Sequence, residues 1–259
     1  MQRRQCLLAV IIAGLACAPA PAQTLRKVKA PDTSRPDYPW LEDYMIVLER
    51  FPLYAERGWH EPYRGDESLG WFGDGRSDEN GQRTLSNFIF AYAVLATEGL
   101  YDVSVSGVSR HRLVSHCLKA IRYMTRTHVT GDLPCTDGRP WGDHWQSPWW
   151  SAKLAAGADL LWGHLTEAER TRMQRLLAHE ANRLLRRQRI PIGESDNTRS
   201  EENAWDTEVL AWAIRLCPGN VNRGAWREML DRLAFNTLSV EADLADDTVV
   251  SGRRIRDWV

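Results

Sequence analysis

His144 stands between Asp143 and Trp145 inside the stretch Asp137–Trp162, DGRPWGDHWQSPWWSAKLAAGADLLW. An imidazole in a partly exposed loop titrates near neutral pH, which suits it to proton transfer. The chain carries 12 Trp, and Trp141, Trp145, Trp149 and Trp150 crowd around this histidine together with Gln146. Trp is large, mostly apolar and holds one N–H donor. A cluster of it on a loop either plugs a core or builds a flat platform for a ligand. The structural alternative for His144 is a ring packed on a neighbouring Trp and bonded to backbone. Trp150 and Trp162 are expected to belong to the helix that follows and to its core.

A second polar group lies in Asn197–Trp212, NTRSEENAWDTEVLAW. Glu201, Glu202, Asn203 and Asp206 gather in the first turns of a helix whose Trp205, Val209, Trp212 and Leu216 repeat at helical spacing and read as core. Acids at a helix N-terminus are stabilised by the dipole, so capping and solvation explain them without function. The functional alternative is that this turn faces the Trp loop. Asn203 then binds a sugar hydroxyl or carboxylate, and Glu202 or Asp206 acts as acid or base. The expected ligand surface is Trp141, Trp145, Gln146 and Trp149, extended by Trp71 and Asn87.

Glu180 falls among Leu176, Leu177, Ala181 and Leu184, on an apolar stripe where a carboxylate needs a partner. A salt bridge to an Arg is the expected one. Asp243, Asp246 and Asp247 form an acidic cluster that could bind calcium, but it lacks the EF-hand pattern and its Gly turn, and solvated loop carboxylates are the expected reading. With no CxxC and no HxxxH, no metal and no cofactor is expected.

The elements that must hold these residues are helices. Apolar spacing predicts them over residues 40–57 (Leu41, Tyr44, Met45, Leu48 and Phe51 inward), 83–99, 109–128, 148–164, 166–188, 200–216 and 222–238. Pro148 suits a first turn, TEAE at Thr166–Glu169 is a capping box, and Asn222 is an N-cap candidate. Residues 58–81 form a long Gly/Asp-rich loop with Trp59, Trp71 and Phe72, whose length and aromatics favour a functional role. No run of alternating strands is visible. Seven helices on short turns predict an all-α fold of antiparallel αα-hairpins. The helices around 83–95 and 151–162 are apolar on more than one side, which favours an (α/α) toroid over a simple bundle. Six hairpins would complete such a ring, so an incomplete toroid, either a truncated piece of a longer protein or a partial barrel, is expected over residues 40–259.

Residues 1–22 read as a signal peptide, with Arg3 and Arg4, an apolar run over Cys6–Ala16 and a small-residue cleavage site ending at Ala22. Residues 23–39 are a polar lead-in. The mature chain is expected to be secreted or periplasmic with no stable membrane anchor. Its Cys117, Cys135 and Cys217 allow at most one internal disulfide, with Cys117–Cys135 one option. Lys and Arg number 33 against 34 Asp and Glu, and losing Arg3 and Arg4 leaves 31 against 34, which argues against a nucleic-acid binder. The oligomeric state is not legible.

The GDHWQSPWW loop, its apolar helix and the SEENAWDTEVLAWA helix together resemble secreted α/α-toroid carbohydrate-active proteins, broadly the heparinase II/III-like and alginate-lyase-like group. The resemblance covers residues 70–259 in layout, and the two motifs carry it. It implies a cleft for an acidic polysaccharide or oligosaccharide. It also implies a polysaccharide lyase working by β-elimination, in which Asn or His neutralises the uronate carboxylate and Tyr or His removes the C5 proton. Asn203 corresponds in type to the neutraliser and His144 to base or neutraliser. No Tyr here matches a catalytic motif, and the Asn-His dipeptide common in such lyases is absent. A glycoside hydrolase on the same scaffold would instead need two carboxyls flanking the bond, from Glu202 or Asp206 with Asp143 or Asp74. A non-catalytic saccharide-binding or structural helical-repeat protein is the third possibility.

Overall fold

The computed structural model describes residues 41–97, 101–186, 200–239, 241–250 and 252–257. The expected signal segment and lead-in lie outside the described residues. Among the described residues the chain is mostly helical, with two short antiparallel ladders and no barrel. No helix among them is long and apolar enough to cross a membrane.

Helix α1 (Leu41–Ala55) leads into a hairpin of β1 (Trp59–His60) and β2 (Trp71–Phe72). Helix α2 (Glu79–Thr97), the single turn α3 (Val103–Ser106) and α4 (Arg110–Thr127) follow. Then come α5 (Ser147–Leu160), α6 (Glu167–Leu185), α7 (Ser200–Leu216) and α8 (Arg223–Asn236). A last hairpin pairs β3 (Val249–Val250) with β4 (Arg253–Arg254).

Local signals account for most boundaries. Ser109 caps α4 by accepting from the Arg112 amide, and Leu113, Cys117, Ile121 and Met124 form its buried stripe. Thr166 and Glu169 make the reciprocal capping box of α6. Glu169 also pairs with Arg122, so the cap of α6 ties that helix to α4. Pro148 occupies the first turn of α5, where a missing N–H costs nothing.

Helix α5 is buried almost all round and packs against α2, α6 and α7. It comes close to α2 at Gly157, where a Cβ would meet Ile89 Cγ2 at 2.8 Å and the Ile89 backbone at 3.3 Å. Further contacts run α1 to α2 and α3, α2 to α4, α4 to α5 and α6, α6 to α7 and α8, and α7 to α8. From α6, Asn182 Oδ1 accepts from Trp226 Nε1 and Asn222 Nδ2, both at 2.9 Å.

Several expectations are corrected. Tyr44 is exposed rather than inward, while Leu48 and Phe51 are half-buried against the core. Asn222 precedes α8 without a side-chain cap, because its amide goes to Asn182. The expected loop over residues 58–81 contains the β1–β2 hairpin, and α2 begins inside it at Glu79. Phe72 is in the core, and Trp59 stacks on His116 at 3.9 Å. Cys117, Cys135 and Cys217 are free and buried, so the Cys117–Cys135 bridge is not formed.

Gly157→Ala tests the central packing. Helix propensity favours the substitution by about 1 kcal/mol, whereas overpacking costs about 1–3 kcal/mol. Ile89 is β-branched and stiff and its backbone cannot retreat, so overpacking is expected to win. The urea midpoint should fall. A midpoint that rises would show that α2 and α5 separate freely.

Candidate functional site

The Trp loop is fixed from below. His128 and Trp141 form a parallel bridge, with Val129 N–H to Trp141 O at 2.8 Å and Trp141 N–H to Thr127 O at 3.0 Å. The chain then reverses through Gly142 (φ 118°) and Asp143 (φ 55°), both in the left-handed region. Gly142 is required there, since a Cβ would sit 2.7 Å from His128 Nε2. Asp143 is a non-glycine residue in the same region, an observed cost of the sort found where a site dictates the backbone.

What holds this reversal is Glu180 on α6, which is 0% exposed. Its Oε2 accepts from Ser147 Oγ and from Arg183 Nη2, each at 2.7 Å. Its Oε1 is 3.3 Å from both His128 Nε2 and the Asp143 amide. Arg183 also donates to His144 O at 3.1 Å and Ser147 Oγ at 2.9 Å. Burial alone would raise the Glu180 pKa. The His128 hydrogen bond, the charges of Arg183 and His128 and the Ser147 hydroxyl outweigh it and bring the pKa to about 2. Burial pushes His128 below the ordinary imidazole range against the pull of Glu180. His128 Nδ1 accepts from the Thr130 amide at 3.2 Å, which places the ring proton at Nε2, toward Glu180.

On the outer side of the loop the rings form a stack. Trp149 lies on Trp205 with centroids 5.2 Å apart and planes 9° from parallel, and Trp145 reaches Trp205 at 5.7 Å. Trp145 is 52% exposed, and Trp149 and Trp205 are half-buried. The Arg83 guanidinium covers Trp149 at 5.0 Å, a cation–π contact. With its amide oriented to match donors and acceptors, Gln146 donates to Glu79 Oε2 at 2.8 Å and accepts from Arg83 Nη2 at 2.7 Å. His144 is stacked on Trp150, 5.2 Å and 8° from parallel, and its Nδ1 accepts from the Gln146 amide at 3.3 Å. A neutral ring so held keeps its proton at Nε2 and offers it as a donor.

The expected site residues divide. Trp145, Trp149 and His144 lie in one exposed neighbourhood. Trp141 does not: it is 1% exposed and its N–H goes to Met124 O at 2.8 Å, so it is core. Gln146 is buried and braces Arg83 and Glu79 from behind. Asn203 and Asp206 are 0% and 1% exposed, turned away from solvent, while Glu202 is half-buried. Trp71 sits in a separate ring cluster with His60, Tyr63 and Tyr123. Asn87 lies half-buried one turn beyond Arg83 on α2. The carboxylate pairs that a hydrolase needs are weakened, because Asp206 is buried and Asp143 Oδ1 is bonded to His179 Nε2 at 2.9 Å.

Trp205, read from sequence as core, instead completes the exposed stack. Arg83, His128, His179 and Arg183 carried no sequence signal, although the need for an Arg at Glu180 did, and Arg183 one turn on supplies it. Among possible metal ligands, Asp143, His179 and Glu180 bring one ligand atom each to within 4.8 Å of one another. Asp247 faces Arg254 and Arg256 at 3.3 and 2.9 Å, and Asp246 accepts from the Thr248 amide, which sets calcium aside there. Burial pushes the Cys135 and Cys217 thiols up to about 11, leaving them poor nucleophiles. No protein-family model, curated protein or solved structure matches the chain.

Glu180→Ala leaves Arg183 and Ser147 without their acceptor and is expected to lower the unfolding free energy by about 3–5 kcal/mol. Because the folded-state pKa lies below the ordinary 4.5, the carboxylate stabilises fully above that pH and loses its contribution as pH falls toward 2. Glu180→Gln should flatten that part of the acid-unfolding curve. An identical curve would show that the carboxylate does not govern it.

Proposed function

We propose that this chain is an exported carbohydrate-active protein that holds a saccharide chain on the Trp145–Trp205–Trp149 stack and cleaves an uronate-containing polymer by β-elimination. The observation that carries this is the stack itself. Three indoles from two helices and a loop lie side by side and partly exposed, with a guanidinium at one end. Flat apolar rings edged by fixed hydrogen-bonding groups suit the alternating C–H faces and hydroxyls of a sugar ring.

The scaffold is proposed as part of an (α/α) toroid built of antiparallel hairpins. Two rows of contacts support it: α2–α5–α7 on one side and α4–α6–α8 on the other, joined by α2–α4, α5–α6 and α7–α8. The stack then stands at one end of the first row, where α5 and α7 begin.

In β-elimination a base removes the C5 proton, the electron pair forms the C4–C5 double bond, and the C4–O bond breaks to release the leaving sugar oxygen. A donor or cation must offset charge building on the uronate carboxylate. Of the two roles that the resemblance implies for His144, its Nε2 proton favours the donor. Arg83 adds positive charge at the Trp149 end of the stack. Glu202 lies three residues before Trp205, on the same face of α7, and retains exposure. It is assigned the acid–base part in place of Asp206.

A second possibility, saccharide binding without turnover, is favoured by one observation: Asn203 and Asp206 are buried rather than presented to a ligand. One experiment separates the two. Incubation with polyuronate should yield products absorbing in the ultraviolet, the signature of the new double bond, and His144→Ala should abolish them. Trp145→Ala should weaken oligouronate binding by up to about tenfold, equivalent to roughly 0.5–1.5 kcal/mol of stacking, with an unchanged melting temperature. Binding without absorbance selects the binder. Loss of neither binding nor turnover in Trp145→Ala and Trp205→Ala would sink the platform.

A further inference from the structure

We infer that Asp143, His179 and Glu180 form a site for a divalent transition-metal ion, which would fasten the Trp loop to α6. The inference is independent of the saccharide proposal. One ligand atom each from Asp143, His179 and Glu180 lie within 4.8 Å of one another, and His179 Nε2 and Asp143 Oδ1 are 2.9 Å apart. Ligands at about 2.0–2.2 Å from one ion stand roughly 3–4 Å apart, so a contraction of under about 2 Å closes the site. Neighbours 179 and 180 supply two ligands from one helix. The third comes from Asp143, whose backbone, like that of Gly142 before it, is in the left-handed region.

The two oxygens of Glu180 are used unequally. Oε2 takes both short bonds, from Ser147 and Arg183 at 2.7 Å. Oε1 has only the two contacts of 3.3 Å, from His128 and the Asp143 amide. A fully buried carboxylate is thus anchored through one oxygen with the other loosely held, as outer-shell partners hold a carboxylate that binds a metal. Asp143 and His179 keep part of their surface open, at 52% and 29%, which gives an ion a way in and leaves room for water ligands. Three protein ligands leave the remaining position to water.

Charge permits a cation. Two carboxylates face the single guanidinium of Arg183, whose Nε is 3.9 Å from Asp143 Oδ1. One imidazole with two carboxylates suits Zn2+, Co2+ or Mn2+ better than Ca2+ or Mg2+, which take oxygen alone. Uptake replaces the His179–Asp143 hydrogen bond. Neutral His179 shifts its proton from Nε2 to Nδ1, and a protonated ring releases one proton to solvent.

The test uses the chelator-treated full chain titrated with cobalt(II) chloride, followed by calorimetry and by the visible absorption of Co2+, with zinc chloride as competitor. One equivalent should bind, Zn2+ should displace it, and the melting temperature should rise on binding. His179→Gln and Asp143→Asn should each weaken uptake by about tenfold or more. Asp143 is exposed, so its variant keeps the test open if His179→Gln fails to fold. Absence of stoichiometric uptake, or uptake that both folded variants leave unchanged, overturns the inference.

Discussion

A carboxylate at zero exposure must be bonded on every side or it unfolds what surrounds it, and Glu180 is bonded by four donors from three stretches of chain. His128 comes from the end of α4, Asp143 and Ser147 from the Trp loop, and Arg183 from α6 itself. Each donor fixes a piece of backbone that has no regular structure to fix it. The reversal through Gly142 and Asp143, the start of α5 and the position of His144 all follow from satisfying this one group.

The loop is two-sided as a result. Its inner side is spent on stability: Trp141 fills the core, Ser147 and the Asp143 amide serve Glu180, and Trp150 backs His144. Its outer side carries Trp145 and, at the head of α5, Trp149, which meet Trp205 from α7. The inner bonds keep the outer rings from collapsing, so a partly exposed indole stack can persist without a ligand to cover it. Arg83 and Gln146 brace one end in the same manner, since the amide of Gln146 is committed to Arg83 and Glu79.

The polar first turn of α7 shows why chemistry read from a motif can point the wrong way. In EENAWD the candidates Asn203 and Asp206 are three apart and share a face, while Glu202 and Trp205 share another. Sequence alone gives the faces but not which one the fold turns inward. Packing against α5 and α6 buries Asn203, Asp206, Val209 and Leu210 together, leaves Glu202 half-buried and sets Trp205 against the rings of the Trp loop. The aromatic residue taken for core became surface, and two polar residues taken for surface became core.

What the sequence determined by itself is local. Helix positions, the Thr166–Glu169 capping box, Pro148 in a first turn and the need for a partner at Glu180 depend on residues within a turn or two of each other, and composition within that window decides them. Tertiary structure decided everything that joins distant segments: the ring stack between residues 145, 149 and 205, the convergence of residues 128, 143, 147 and 180, and the face of α7 that meets solvent. These contacts cross 33 to 60 positions of chain. No periodicity spans such distances, and only the packing of whole helices brings the groups together.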